Sequence, residues 1–186
     1  YAQTLQQKSI VIPNPIVRPK DIAPIQYNPN NKWIISIGRF DNNEQKRYDI
    51  LLQSFARFHA LHPDYKLLLY GSGPLEKQLK QWAKELSIEN CIEWKGVTSS
   101  SMKMMAQTGG IFLITSDSEG ISNALLEAMA VGMPVVSTDH NPGGARLLIS
   151  DHENGLLAPM ADFEKLSHAL CEYAEHPELA EKCGKN

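Results

Sequence analysis

From Trp33 onward the chain repeats one pattern: a short apolar run, a glycine-rich or polar turn, then an amphipathic stretch. The apolar runs are WIISIG, KLLLYG, CIEWKG, IFLIT and MPVVST, each of strand rather than helix length. Between them lie stretches with helical spacing, such as Lys46–Leu61, where Ile50, Leu51, Phe55 and Phe58 fall on one side. Short apolar strands alternating with helices are buried on both faces. This predicts an α/β fold, a Rossmann-like parallel sheet flanked by helices on both faces. Further helices are predicted from Pro74, at a first helical position, to about Leu86, near Met102–Gln107, over Ser122–Val131, in ARLLIS and over Asp162–Ala174. GLLAP reads as a short edge strand.

The same architecture predicts where a ligand binds, because open α/β sheets bind ligands outside the carboxyl ends of their strands. The turns that follow the strands are Gly38-Arg39, Gly71-Ser72-Gly73-Pro74, Gly96-Val97, Ser116–Glu119 and Asp139–Gly144. Every glycine-rich or charged turn therefore falls on one edge of the sheet. Residues 31–175 form the predicted domain. Residues 1–30 contain IPNPIVRPKDIAPIQYNPNN, with five prolines, and read as an interdomain connector; residues 176–186 read as a truncated tail. The start without Met and the end EKCGKN suggest a piece of a longer chain.

Composition narrows the partners. A net charge of −3 and a pI near 6.1 exclude the basic footprint of a nucleic-acid binder. No apolar run reaches spanning length, and YAQTLQQKS does not read as a signal peptide. Cys91, Cys171 and Cys183 are odd in number and widely spaced, and read as reduced thiols of a cytoplasmic protein. No metal-ligand spacing occurs in the sequence, so no metal and no cofactor is expected. Met102, Met104 and Met105 read as core filling. His140 reads as a surface-loop residue, and the other histidines lie on predicted outer helix faces or loops.

One run concentrates the chemistry: SDSEGISNALLEAMAVGMPVV, from Ser116 to Val136. Glu127 is the only charge between Ala124 and Val136, and a carboxylate in an apolar helix is costly unless something pairs with it. Glu119 lies on the loop that feeds this helix. Gly120, Ile121 and Ser122 form its entrance, with Ser122 as the expected N-cap. Free N–H groups there favour phosphate, and Gly120 allows close approach to the backbone. Asn123 shares a face with Glu127, one turn away. Arg39 ends a strand and Lys46 begins the next helix, so both can reach a diphosphate at that edge and stabilise charge on a leaving phosphate. The plain alternatives are solvated surface cations, a solvated Glu119 and a Glu127 that caps a neighbouring loop. Gly71-Ser72-Gly73 lacks the third glycine of a dinucleotide fingerprint, where Glu76 stands instead.

Taken together, IPNPI, SIGRF…QKRYDILLQSF, LLLYGSGPLEKQL, IEWKGV, SEGISNALLEAMAVGMPVVSTDHNPGGARLLI and NGLLAP resemble the C-terminal half of a GT-B glycosyltransferase. The group is the retaining glycosyltransferase family four, the group 1 type. The resemblance runs from about Val11 to Leu170, with seven residues between the paired glutamates Glu119 and Glu127. It implies the donor-binding domain of a hexosyltransferase that uses a nucleotide-diphosphate sugar, a UDP-sugar by preference, in surface polysaccharide or glycoconjugate synthesis.

The implied roles follow by position. Arg39 and Lys46 hold the diphosphate, Glu119 touches the sugar hydroxyls, and these three form the catalytic set. Glu127 accepts from the ribose, with Asn123 on the same face. Gly38 sits beside Arg39; Gly120, Ile121 and Ser122 lie beside sugar and phosphate, and Gly96 and Val97 against the base. This chain departs from the family at Arg47 (usually glycine), at Ile121-Ser122 (commonly Phe-Gly or Phe-Pro) and at Leu147 (often acidic).

The resemblance also implies no metal requirement, and a glycan or lipid-linked acceptor bound by a separate N-terminal domain. Peripheral contact of the full-length protein with the inner face of a membrane is implied as well, as is a fragment that binds donor but scarcely catalyses. A non-catalytic nucleotide-sugar-binding module and a sugar-nucleotide epimerase are the alternative readings.

Overall fold

The computed structural model describes residues 15–41 and 43–186. Its strands are β1 (Trp33–Ile37), β2 (Lys66–Tyr70), β3 (Ile92–Gly96), β4 (Ile111–Ile114), β5 (Val135–Thr138) and β6 (Leu156–Ala158). They form one parallel sheet in the order β3-β2-β1-β4-β5-β6. In register, Ile34 of β1 lies opposite Leu67 of β2 and Ile111 of β4. The helices are α1 (Asn43–Lys46), α2 (Tyr48–Leu61), α3 (Glu76–Glu85), α4 (Ser101–Thr108), α5 (Asn123–Ala130), α6 (Gly144–Leu148), α7 (Phe163–Glu175) and α8 (Pro177–Lys185).

Strand residues alternate between two cores because successive side chains point to opposite faces. Ile34, Leu67, Leu69, Ile111, Leu113 and Val136 pack with Phe55, Phe58, Leu79, Leu166 and Leu170 from α2, α3 and α7. Ile35, Leu68, Phe112, Ile114 and Val135 pack with Met105, Leu125, Ala128 and Ala145 from α4, α5 and α6. Phe55 and Phe58 are fully buried, a burial worth about 1.5–3 kcal/mol each. The crossovers β1–β2 and β2–β3 thus lie on one face and β3–β4, β4–β5 and β5–β6 on the other. The reversal falls between β1 and β4, and the crevice that it opens at their carboxyl ends is the topological switch point.

The expected Rossmann-like sheet with helices on both faces is the one observed, and three local expectations are corrected. The helix expected over Lys46–Leu61 is broken at Arg47, whose φ of 50° and ψ of 54° are left-handed. For a side chain with a Cβ that conformation costs about 1–2 kcal/mol, so side-chain interactions must hold it. Pro74 does not begin a helix. Leu75 N–H donates to the Phe40 carbonyl (2.9 Å) and Glu76 N–H to that of Gly73 (3.1 Å), so a turn tied to the β1 loop delays α3 to Glu76.

The stretch 176–186, expected as a tail, carries α8, which opens with Pro177 and buries Ala180 and Cys183. It lies so close to the turn after α5 that a Cβ on Gly184 would stand 2.5 Å from the Gly132 carbonyl oxygen. The described part of the connector packs on the domain. Ile22 and Tyr27 are buried, and Ile25 N–H donates to Val131 O at 2.8 Å. Most of IPNPI lies outside the described residues. Met102, Met104 and Met105 do fill the second core, Cys91, Cys171 and Cys183 are all free thiols, and Asp162 caps α7 by accepting from Lys165 N–H at 2.9 Å. Among the described residues no helix is long and apolar enough to cross a membrane.

Backbone contacts between the carboxyl-edge turns set the crevice dimensions. Gly71 has φ +147°, and a Cβ there would lie 1.9 Å from the Gly38 carbonyl oxygen. At Gly120, by contrast, an added Cβ would meet nothing within 4 Å. Gly71→Ala is therefore expected to lower unfolding free energy by about 3 kcal/mol or more, while Gly120→Ala changes it by less than about 0.5 kcal/mol. Urea denaturation followed by circular dichroism measures both, and equal losses would contradict the packing described.

Candidate functional site

The loop after β1 and the loop after β4 are joined across the switch point. Thr115, at the end of β4, donates its hydroxyl to the carbonyls of Lys46 (3.0 Å) and Arg47 (3.1 Å). Asp117 N–H donates to Gln45 O at 2.8 Å, and the Gln45 amide returns a bond to Ser118 O at 2.8 Å. With the backbones fixed in this way, Lys46 Nζ meets Glu119 Oε1 at 2.8 Å. Glu119 is only 9% exposed at its side chain and Lys46 is 27% exposed.

Burial opposes charge on Glu119, but it is outweighed. Lys46 and the Ser116 hydroxyl, 2.5 Å from Oε1, hold the carboxyl below its ordinary range, helped by Ser122. Ser116 is fixed in turn by Thr138, which donates to its carbonyl at 2.5 Å. Burial, followed by the charge of Glu119, pushes the Tyr48 phenol up, so Tyr48 stays neutral and donates to Arg39 O at 3.3 Å.

Beside this pair a cavity of about 200 Å3 is lined by Gly38, Arg39, Tyr70, Gly71, Val97 and Thr98. Arg39 is 85% exposed at its side chain and pairs with Asp41 at 3.1 Å. Such an exposed pair is weak and easily exchanged for another anion. Val97, an apolar residue left 76% exposed, forms one lip, and Gly96 has φ +65° with open space where a Cβ would point.

On the other side, the entrance to α5 approaches α6 so closely that a Cβ on Gly144 would fall 1.4 Å from Gly120 O. Ile121 is half-buried and Asn123, at the start of α5, is exposed. Glu127 accepts from the Ser101 hydroxyl at the start of α4. This is a side-chain contact with the neighbouring helix rather than the loop cap that is the plain alternative for Glu127. It occupies one lone pair of a carboxylate that has about four acceptor positions.

Two sequence expectations fail here. Ser122 takes the N-cap position of α5 but makes no capping hydrogen bond, since its buried side chain is turned to Glu119. His140 is not a surface residue: it is fully buried, and among the described residues neither ring nitrogen has a hydrogen-bond partner. The backbone around it explains why. Asn141 N–H donates to Asp117 O (3.0 Å) and Glu119 N–H to Asn141 O (2.9 Å), which draws the loop after β5 under that after β4.

Reading the sequence also missed Gln45, Thr115, Ser116, Asp117 and Thr138. Hydroxyls at the carboxyl ends of β4 and β5 were the available signal. Leu147, exposed on α6, faces solvent. A larger groove of about 760 Å3 runs along α7, lined by Arg57, Leu61, His168, Cys171 and Glu175. There His62, Cys171 and Glu175 bring potential ligand atoms within 4.8 Å of one another. His62 precedes β2, so this grouping sits at the opposite sheet edge from the crevice.

The Lys46–Glu119 pair carries a pH signature. A carboxyl with a lowered folded-state pKa adds stability above its unfolded pKa, near 4.3, and loses it as pH falls through the folded value. Glu119→Gln is expected to cost about 1–3 kcal/mol at pH 7, with the difference from the parent chain shrinking below about pH 4. Urea midpoints at pH 7 and pH 3 measure this, and an equal difference at both would show that the pair contributes no charge-dependent stability.

Comparison with known proteins places this crevice in a family. The model described as "Glycosyl transferases group 1" matches residues 17–186. An uncharacterized glycosyltransferase of Haemophilus influenzae is 30% identical over 171 residues, 92% of this chain and 46% of that protein. The N-acetylgalactosamine-N,N'-diacetylbacillosaminyl-diphospho-undecaprenol 4-alpha-N-acetylgalactosaminyltransferase of Campylobacter jejuni is 35% identical over 149 residues, 80% of this chain and 39% of that protein. The chain thus spans less than half the length of these relatives. In fold it is similar to a Staphylococcus aureus TarM variant crystallised with fondaparinux, alpha-GlcNAc-glycerol and UDP, with TM-score 0.80 and 23% identity over 88% of this chain and 32% of TarM. With a matching family model over nearly its whole length, the chain belongs to the group 1 glycosyl transferases.

Proposed function

We infer that this chain is the donor-binding half of a retaining hexosyltransferase, one that moves a hexose from a UDP-sugar to a glycan or lipid-linked acceptor in surface polysaccharide or glycoconjugate synthesis. The observation that carries the reading is the Lys46–Glu119 pair across the β1–β4 switch point, flanked by Arg39 on one side and the start of α5 on the other. The UDP complex of the TarM variant, a protein of like fold, supports the choice of base.

On this reading the diphosphate displaces Asp41 from Arg39 and Glu119 from Lys46, and the two cations stabilise charge on the departing nucleotide. Glu119, freed from Lys46 but still held by Ser116, accepts from sugar hydroxyls. Backbone groups of Gly120, Ile121 and Ser122 lie against sugar and phosphate, because Gly120 leaves its outer side open. Glu127, oriented by Ser101, keeps acceptor positions for the ribose hydroxyls, with Asn123 one turn away. Gly38 and Val97 line the cavity that takes the base, and Gly96 precedes Val97 at the end of β3.

The acceptor attacks from the face that the nucleotide leaves, so configuration is kept. No metal is needed where two cations and a helix entrance serve the diphosphate. The acceptor site and any contact with the inner face of a membrane belong to a separate N-terminal domain, and the working compartment is the cytoplasm. This chain alone binds donor without turning it over.

Isothermal titration with UDP, GDP and ADP tests the reading. UDP is expected to bind best, Arg39→Ala to abolish selective binding, and Glu127→Ala to cost about 1–3 kcal/mol of UDP affinity. Binding of no nucleotide would overturn the donor-binding reading. Incubating the full-length protein with UDP-sugar and recovering free epimerised sugar instead of transfer product would favour an epimerase.

A further inference from the structure

Among the described residues of the crevice, Arg47 is the one whose backbone and side chain are both committed to a conformation that a chain avoids on its own. It holds left-handed dihedrals without being glycine, and such geometry persists only where the surroundings over-determine it. They do so here through its guanidinium. Nε and Nη2 grip Asp49 at 3.0 and 2.9 Å, and Nη1 reaches across the crevice to Asp117 Oδ2 at 2.5 Å. Asn43, at the start of α1, donates to Asp49 Oδ1 at 2.6 Å and accepts from Asp49 N–H at 3.1 Å, which closes the brace around the kink. Among the described residues the Asp117 carboxylate has no other partner, and its Oδ1 is buried without a hydrogen bond.

Two charge pairs therefore cross the crevice side by side: Lys46 with Glu119, and Arg47 with Asp117. Lys46 and Arg47 are consecutive, and Asp117 and Glu119 are two apart. When an anionic ligand takes Lys46 from Glu119, the first pair opens. The second is held more firmly, because its guanidinium grips two carboxylates through three of its N–H groups. A lysine could not replace it, as an ammonium lacks the fork that grips one carboxylate in two places while reaching another.

We propose that Arg47 is a positioning residue for donor binding, which clamps the α1–α2 kink to the β4 loop so that Lys46 is presented to the diphosphate with its backbone fixed. The proposal rests on the donor-binding reading of this crevice.

The test is a double-mutant cycle read by UDP titration of this chain. Arg47→Gly with Asp117→Asn removes both charges of the cross-crevice pair together, leaves Asp49 held by Asn43, and places a glycine that accepts the left-handed backbone. This pair of changes is expected to weaken UDP binding by about tenfold, with circular dichroism unchanged, and by less than about twofold when Lys46→Ala is already present. Parent binding of UDP that the double change leaves unaltered would overturn this proposal alone. An equal loss with and without Lys46 would also overturn it, by showing that Arg47 does not act through Lys46. A parent chain that binds no UDP would overturn the donor-binding reading and this proposal with it. Should the double variant unfold, Arg47→Lys decides: a loss of UDP affinity only when Lys46 is intact supports positioning, and parent affinity overturns it.

Discussion

The rest of the structure depends on the adjacency of β1 and β4. Ile34 and Ile35 pair with Ile111 and Phe112, although two strands and four α-helices intervene in the chain. A sheet covered on both faces leaves functional groups only its edges and ends, and the reversal of winding at β1–β4 leaves one carboxyl-end crevice uncapped by a crossover. Lys46 and Glu119 meet only because this pairing sets the segment after β1 beside the loop after β4. Thr115 shows how direct the dependence is: it ends β4, and its hydroxyl holds the backbone of Lys46.

Charge at the crevice is internally neutralised. Arg39 faces Asp41, Lys46 faces Glu119, Arg47 faces Asp49 and Asp117, and Arg146 grips Asp139 at 2.7 and 2.6 Å. An anionic ligand therefore competes with resident carboxylates rather than entering a field of bare cations, which fits a chain whose net charge is −3. The competition is graded by exposure. The Arg39 pair is solvated and contributes little, the Lys46 pair is half-buried, and the Arg47 pairs are locked by a fork. Cations that can be displaced and one that cannot sit within a few residues of each other.

Periodicity made the fold legible. The five apolar runs from Trp33 to Thr138 all became strands, and GLLAP supplied β6, because core burial demands the same residue types wherever the strand lies. The misreadings share one cause, which is that contacts distant in sequence overrode local rules. Pro74 suits a first helical position, but the turn at Gly73 is tied to Phe40. Ser122 suits an N-cap, but its side chain turns to Glu119. His140 sits among loop-forming residues, yet the loop after β4 closes over it. The short stretch PELAEKCGK lacked a visible core to pack on until Gly132 came to face Gly184.

By itself the sequence determined the strand–helix alternation, the edge of the sheet where glycines and charges collect, and the candidates Arg39, Lys46, Glu119 and Glu127. These are properties of residue type and spacing, and spacing along one chain is enough to state them. Only the tertiary structure decided which candidates touch. It paired Lys46 with Glu119, turned Glu127 to Ser101, and gave cross-loop contacts to Arg47, Asp117, Thr115 and Ser116, to which residue type and spacing assign no partner. The physical reason is that a hydrogen bond or ion pair requires atoms within about 3 Å. Between residues some seventy positions apart, only the packed sheet and its switch point fix that distance.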